Sequence, residues 1–258
     1  VPYFRRTGPS TFAPTEHVSG GWSATEQHVA PAFGLLTHLV EADRDARRDD
    51  GLLIGRLAFD VLGTIPVEEV TLGVEVRRPG RTIELVEATL SHAGRPAVLL
   101  RAWLMAPGET ASVAGSDLPR IPPSDTMTDW DPTTVWPGGF IAAATVRREE
   151  DRPGRARYWV RSDVPLLDEP VSPTAQAVRL FDIANGMTVR EPPSVVGFPN
   201  LDLTAHLFRE PHGDEVGFDT TVSFGPDGRG VTSSVLHDGN GPFGTLAQLL
   251  TVRPVTPV

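Results

Sequence analysis

Apolar and polar residues alternate along most of the chain, and in two stretches the spacing changes to that of a helix. In the first, Phe33, Leu35, Leu36, Leu39 and Val40 make one apolar face that starts at Pro31 and runs into the charged stretch Glu41 to Asp50. In the second, Ser172 and Pro173 fit an N-cap and first helical residue, Ala177, Val178, Leu180, Phe181 and Ala184 fit a buried face, and Asn185-Gly186 fits a stop. Each predicts a helix of about three turns. Four strand-like runs follow the first helix (52–62, 70–78, 82–92, 97–105) and four follow the second (202–209, 216–224, 230–237, 243–252). Turn pairs at Pro79-Gly80, Ala93-Gly94, Asp227-Gly228 and Asp238-Gly239 mark antiparallel hairpins. Further strands are expected near Ser10 to Glu16, Phe140 to Arg148 and Ala156 to Arg161.

The two sets of elements read as a duplication. Pro66 and Pro211, His92 and His237, and Gly94 and Gly239 are each 145 positions apart. So long a period means two copies of a domain, not a solenoid. Between them the Pro-rich segment Pro107 to Gly139 has little periodicity and reads as a linker, with Trp130 and Trp136 expected to pin it to a sheet edge. The expected boundaries are a first domain over 1–106, a linker over 107–138 and a second domain over 139–258. The fold class is α+β, one helix and an antiparallel sheet per copy.

Composition removes chemistry. The 258 residues include no Cys, and all 23 basic residues are Arg. Thiolate nucleophiles, disulfides, Schiff-base lysines and the Walker P-loop are therefore excluded. The net charge of −10 disfavours nucleic acid and anionic membranes, although an Arg cluster can still hold an anionic small molecule. No stretch approaches 18 consecutive apolar residues and Val1 to Ser10 lacks a signal-peptide core, so a cytoplasmic location without a membrane span is expected. The seven His residues lack metal-ligand spacing, and no metal is expected. Gly239 to Gly244 matches G-x-G-x-x-G only formally, because a hairpin leads there into a strand. No G-x-S-x-G elbow occurs.

Taken literally, the 145 offset sets Asp202 against Leu57 and Gln248 against Trp103, so two strands of the second copy turn polar together. Alternation puts Asp202, Thr204 and His206 on one face of their strand, opposite Leu203 and Ala205. Two readings stand at this point: Asp202 and Gln248 face solvent on an open sheet, or a carboxylate and an amide converge on a cleft. In the second case the carboxylate orients or deprotonates a water, the amide holds it, and the helix start at Ser172 to Thr174 offers N–H groups to an oxyanion. Such a group suits thioester hydrolysis, because a thiolate leaves without a strong general acid.

The chain resembles the thioesterase-like double hot-dog proteins related to acyl-CoA thioesterase II. The resemblance rests on His17-Val-Ser-Gly-Gly-Trp22, Gln27 to Leu36, Tyr158-Trp-Val-Arg161, Leu180-Phe-Asp-Ile183, Asn200 to Arg209 and Ala247 to Arg253. It implies two tandem hot dogs packed as an intrachain pseudo-dimer, an acyl-CoA substrate bound between them, and no cofactor beyond the CoA of the substrate. It also implies a catalytic Asp, hydroxyl and Gln in the second hot dog, which fall on Asp202, Ser223 and Gln248, with Thr220 and Thr221 beside Ser223. Where the family has a glycine-rich start to the first helix, this chain has His28-Val-Ala, and Leu57 and Trp103 are apolar, so a single site per chain is expected. A homo-oligomer, a dimer of double hot dogs, is the expected assembly. The alternatives are a non-catalytic acyl-CoA or acyl-carrier binding protein, and a hot-dog hydratase or dehydratase, for which His206 beside Asp202 is the residue of interest.

Overall fold

The computed structural model describes residues 1–255. Its first half contains β1 (Phe4–Arg6), β2 (Thr11–Pro14), the helix α1 (Val29–Arg47), β3 (Leu53–Val61), β4 (Val70–Arg78), β5 (Ile83–His92) and β6 (Arg95–Met105). There follow β7 (Thr128–Trp130), the single turn α2 (Gly139–Ala142), β8 (Ala144–Arg152), β9 (Arg155–Ser162), the helix α3 (Pro173–Val178), β10 (Val196–Gly197), β11 (Asp202–Leu207), β12 (Glu215–Phe224), β13 (Arg229–Asp238), β14 (Gly241–Thr251) and β15 (Arg253–Pro254). Thirteen strands form one antiparallel sheet in the order β1-β2-β4-β5-β6-β3-β11-β14-β13-β12-β9-β8-β7. Six strands lie on the β3 side of the central β3/β11 pairing and seven on the β11 side, β7 being the extra one. Each half is a hot-dog-like α+β unit, and the two form a pseudo-dimeric sheet wrapped on paired helices.

Period-two burial explains the layering. In β5 the inward set is Val86, Ala88 and Leu90, and in β11 it is Leu203 and Ala205. These rows cover α1, which buries Phe33, Leu35, Leu36 and Val40. The helices meet at Gly34, where a Cβ would lie 2.6 Å from that of Arg179, so a larger residue would push them apart.

Several sequence expectations change in detail. α1 runs 19 residues, well beyond three turns, because its charged C-terminal turn is anchored: Arg47 and Arg48 both bond the buried carboxylate of Glu84, at 2.8 and 2.9 Å. The second helix ends at Val178 and tightens into a 3-10 turn, Phe181–Ile183, through Leu180 N–H to Ala177 O at 3.0 Å. Phe140 belongs to α2, and β8 starts only at Ala144. Within the Pro-rich segment, β7 extends the second half of the sheet, Arg148 lies over the Trp130 ring, and Trp136 is buried with its indole N–H on Gly186 O.

The 145 offset fails in the strands for a reason of register. Leu57 is buried and inward whereas Asp202 lies on the outward face of β11, and Trp103 alternates outward in β6 while Gln248 is inward in β14. The first hairpin closes at His92 opposite Arg95 and the second at Asp238 opposite Gly241, so the two halves correspond one residue beyond that offset. A slip of one residue exchanges the two faces of a strand.

Candidate functional site

Gln248 does converge with a carboxylate, but it is that of Asp182. The 3-10 turn after α3 carries Asp182 into the interior beneath β14, with 4% of the residue exposed. Its Oδ1 accepts from Gln248 Nε2 at 2.9 Å and from Asn200 Nδ2 at 2.7 Å. Oδ2 has no hydrogen bond from any described residue and lies 3.9 Å from His28 Nδ1. Burial pushes the Asp182 carboxyl up to about 7, against the two amide donors, which favour the charged form.

His28 comes from the other half of the chain. It caps α1, its Nδ1 accepting from Ala30 N–H at 3.2 Å, which leaves Nε2 to carry the ring proton. Burial lowers its basicity to a pKa of about 3, so the ring is neutral at ordinary pH, and it packs on Phe140 at 4.2 Å between centroids. His28 and Val29 thus bring the start of a 19-residue helix to the second half's carboxylate; the Ala30 N–H is taken by His28 and Pro31 has none.

These groups line a cavity of about 500 Å³ between the halves. Gly20 to Trp22, Gln27, His28, Val29 and the segment Val61 to Thr64 form one side. Asp182, Asn185 and Pro199 to Leu201 form the other. Gln248 stands behind Asp182, 1% exposed. Its Oε1 and the buried Thr232 Oγ1 directly across the ladder have no hydrogen-bond partner among the described residues.

The other expected residues lie elsewhere. Asp202 is on the outward face of β11, where its Oδ1 accepts from Leu249 N–H at 2.6 Å and Asp60 stands opposite it. It is separated from Gln248 by the thickness of the sheet, so those two do not converge. Ser223 is exposed on the outward face of β12, as is Thr221, whereas Thr220 points inward and bonds Tyr158 and Ser234. His206 is exposed on the same outward face as Asp202. The N-terminus of α3 is closed by Ser172, which accepts from Ala175 N–H and donates to Glu41. The sequence signal for Asp182 was its place among buried apolar neighbours, Leu180, Phe181, Ile183 and Ala184; for Asn200 it was adjacency to the strand of Asp202.

Among the described residues no group of three or more His, Cys, Asp or Glu side chains is placed to hold a metal ion. No helix among them is long and apolar enough to cross a membrane.

The two hot-dog halves enclose a cavity with a buried carboxylate held by amides on one wall and a helix start on the other, a double hot-dog architecture. The acyl-CoA thioesterase N-terminal domain family matches residues 18–105 and the acyl-CoA thioesterase C-terminal domain family matches residues 117–252. The chain belongs to the acyl-CoA thioesterase family, a family of hydrolases acting on acyl-CoA-like thioesters. No curated protein sequence matches the chain significantly. Solved structures share the fold over nearly the whole length. A thioesterase candidate from Novosphingobium aromaticivorans is 17% identical with a TM-score of 0.74, covering 98% of this chain and 99% of its own. A hot-dog protein of unknown function from Alicyclobacillus acidocaldarius is 15% identical with a TM-score of 0.74, covering 98% and 96%. Acyl-CoA thioesterase II of Mycobacterium marinum is 15% identical with a TM-score of 0.69, covering 98% and 96%.

Proposed function

We propose that the protein hydrolyses acyl-CoA thioesters, with Asp182 as general base and Asn200 and Gln248 as the residues that hold it. The observation that carries this reading is the division of labour within one carboxylate: two amides fix Oδ1, while Oδ2 is left without a hydrogen bond. A water on Oδ2 gives its proton to Asp182 as its oxygen attacks the thioester carbonyl. The oxyanion forms against the N-terminus of α1, where the Val29 N–H is available, and collapses by expelling the CoA thiolate, which takes the proton back from Asp182. Asp202 and Ser223, expected from the sequence to take part, have no role in this scheme; Gln248 keeps one.

The nearness of His28 to Asp182, 3.9 Å, favours a second reading, hydration of an enoyl thioester by a carboxylate–imidazole pair. Against it, the neutral ring has its Nδ1 lone pair occupied by Ala30 N–H. Saturated acyl-CoA and enoyl-CoA panels assayed side by side across pH separate the readings. Thiol release is expected from saturated acyl-CoA, rising through about pH 7 as Asp182 loses its proton and then levelling. Hydration of enoyl-CoA without thiol release would overturn the proposal in favour of the second reading. Binding of a non-hydrolysable analogue with neither reaction would leave a binding protein.

A further inference from the structure

The loop that carries Trp22 is fixed at both ends. Gly20 N–H donates to Glu26 O at 3.1 Å, and Gly21 N–H reaches across to Pro137 O at 3.0 Å. Gly20 has φ of +122°, and a Cβ on Gly138 would lie 2.1 Å from Gly20 Cα, so the two backbones touch and the loop has little room to swing. Trp22 is nonetheless 45% exposed. Its ring stands edge-on to Trp136 at 4.9 Å and to Phe198 at 5.2 Å, both buried.

Trp22 also borders two voids. One is the 500 Å³ cavity that holds Asp182. The other is a pit of about 20 Å³ walled by Trp136, Ile141, Ile183 and Met187. Gly21, Trp22, His28 and Asn185 border both. The pit holds about one water by volume, and its walls are largely apolar. An apolar chain entering from the carboxylate side therefore meets the Trp22 indole before it reaches apolar space of the right character.

We propose that Trp22 sets the acyl chain length, so that the substrate class is thioesters of short acyl groups that end at its ring. The inference rests on the reading above that this cavity takes the acyl thioester. Replacing the indole by a small side chain joins the pit to the cavity and lengthens the acyl site. The test is kcat/KM for straight-chain acyl-CoAs from acetyl to dodecanoyl in the wild type, Trp22→Ala and Trp22→Phe. Each methylene that fits or clashes changes kcat/KM by about tenfold or more. The wild type should favour short chains; Trp22→Ala should raise the decanoyl-to-butyryl ratio at least about tenfold, and Trp22→Phe should raise it less. A Trp22→Ala profile that superimposes on the wild type, or a wild type that already favours long chains, would overturn the proposal. The same chain series as non-hydrolysable thioethers, measured by titration calorimetry, reads the pocket without turnover. A chain-length shift there with no thiol release would uphold Trp22 and defeat the hydrolase reading, whereas release without any shift would do the reverse.

Discussion

The inner faces of the two half-sheets differ in kind. In the first half, Leu57 and Phe59 of β3, Ala102 and Leu104 of β6, and Val86, Ala88 and Leu90 of β5 present an apolar face to α1. In the second, Gln248 of β14, Thr232 and Ser234 of β13, and Thr220 of β12 put a buried polar band in the corresponding layer, with Tyr158 and Asp182 joined to it. Most of the band is hydrogen-bonded within itself, and Gln248 Oε1 and Thr232 Oγ1, without a partner among the described residues, each cost about 1–3 kcal/mol. The first half is packed with apolar side chains and contributes a helix start, His28 and Val29, to the shared cavity. The second half contributes a buried carboxylate with a raised pKa.

The contrast can be broken one residue at a time, and the largest effect expected is on stability. Asp182 titrates near 3.8 when exposed and about 7 when folded. Between those values the folded state holds a proton that the unfolded state has lost, so this group's contribution falls as pH rises through about 7. Asp182→Asn removes that penalty. It should be more stable than the wild type at pH 8 by up to about 4 kcal/mol, and by little at pH 4, in urea melts at the two pH values. A next, smaller effect is expected from Gln248→Leu, which makes β14 resemble the apolar β6. Loss of one hydrogen bond to a carboxylate should lower kcat/KM about tenfold, and the midpoint of the pH–rate profile should move upward from about 7, because a donor favouring the charged form is gone. The smallest effect belongs to Asp202→Ala. Its carboxylate accepts one backbone N–H on the outward face, so about 1 kcal/mol of stability should be lost in the same melts.

Much of the fold was legible in the chain, because period-two alternation and Gly-containing turns specify hairpins locally. The runs read at 70–78 and 216–224 fall within a residue of β4 and β12. What alternation cannot supply is the face each residue takes relative to a distant copy. The 145 offset matches His92 to His237, yet the hairpins close at His92 and Asp238, and that difference of one residue is enough to set Asp202 outward against an inward Leu57. Gln248 was found because an amide interrupts an apolar run. Asp182 was overlooked although it interrupts an apolar helix face in the same way, between Phe181 and Ile183. The partnership of Asp182 with His28 is tertiary, joining residues more than 150 positions apart, and no local pattern carries it.

The central claim is that the reacting carboxylate is the buried Asp182 and not the outward Asp202. Its most direct test is kcat/KM for thiol release from a short-chain acyl-CoA, measured at pH 8 in the wild type, Asp182→Asn and Asp202→Asn. A fall of at least about a hundredfold is expected for Asp182→Asn, the scale of a lost general base, with Asp202→Asn remaining within about threefold of the wild type. The opposite pattern, with Asp182→Asn active and Asp202→Asn inactive though folded, would contradict the account.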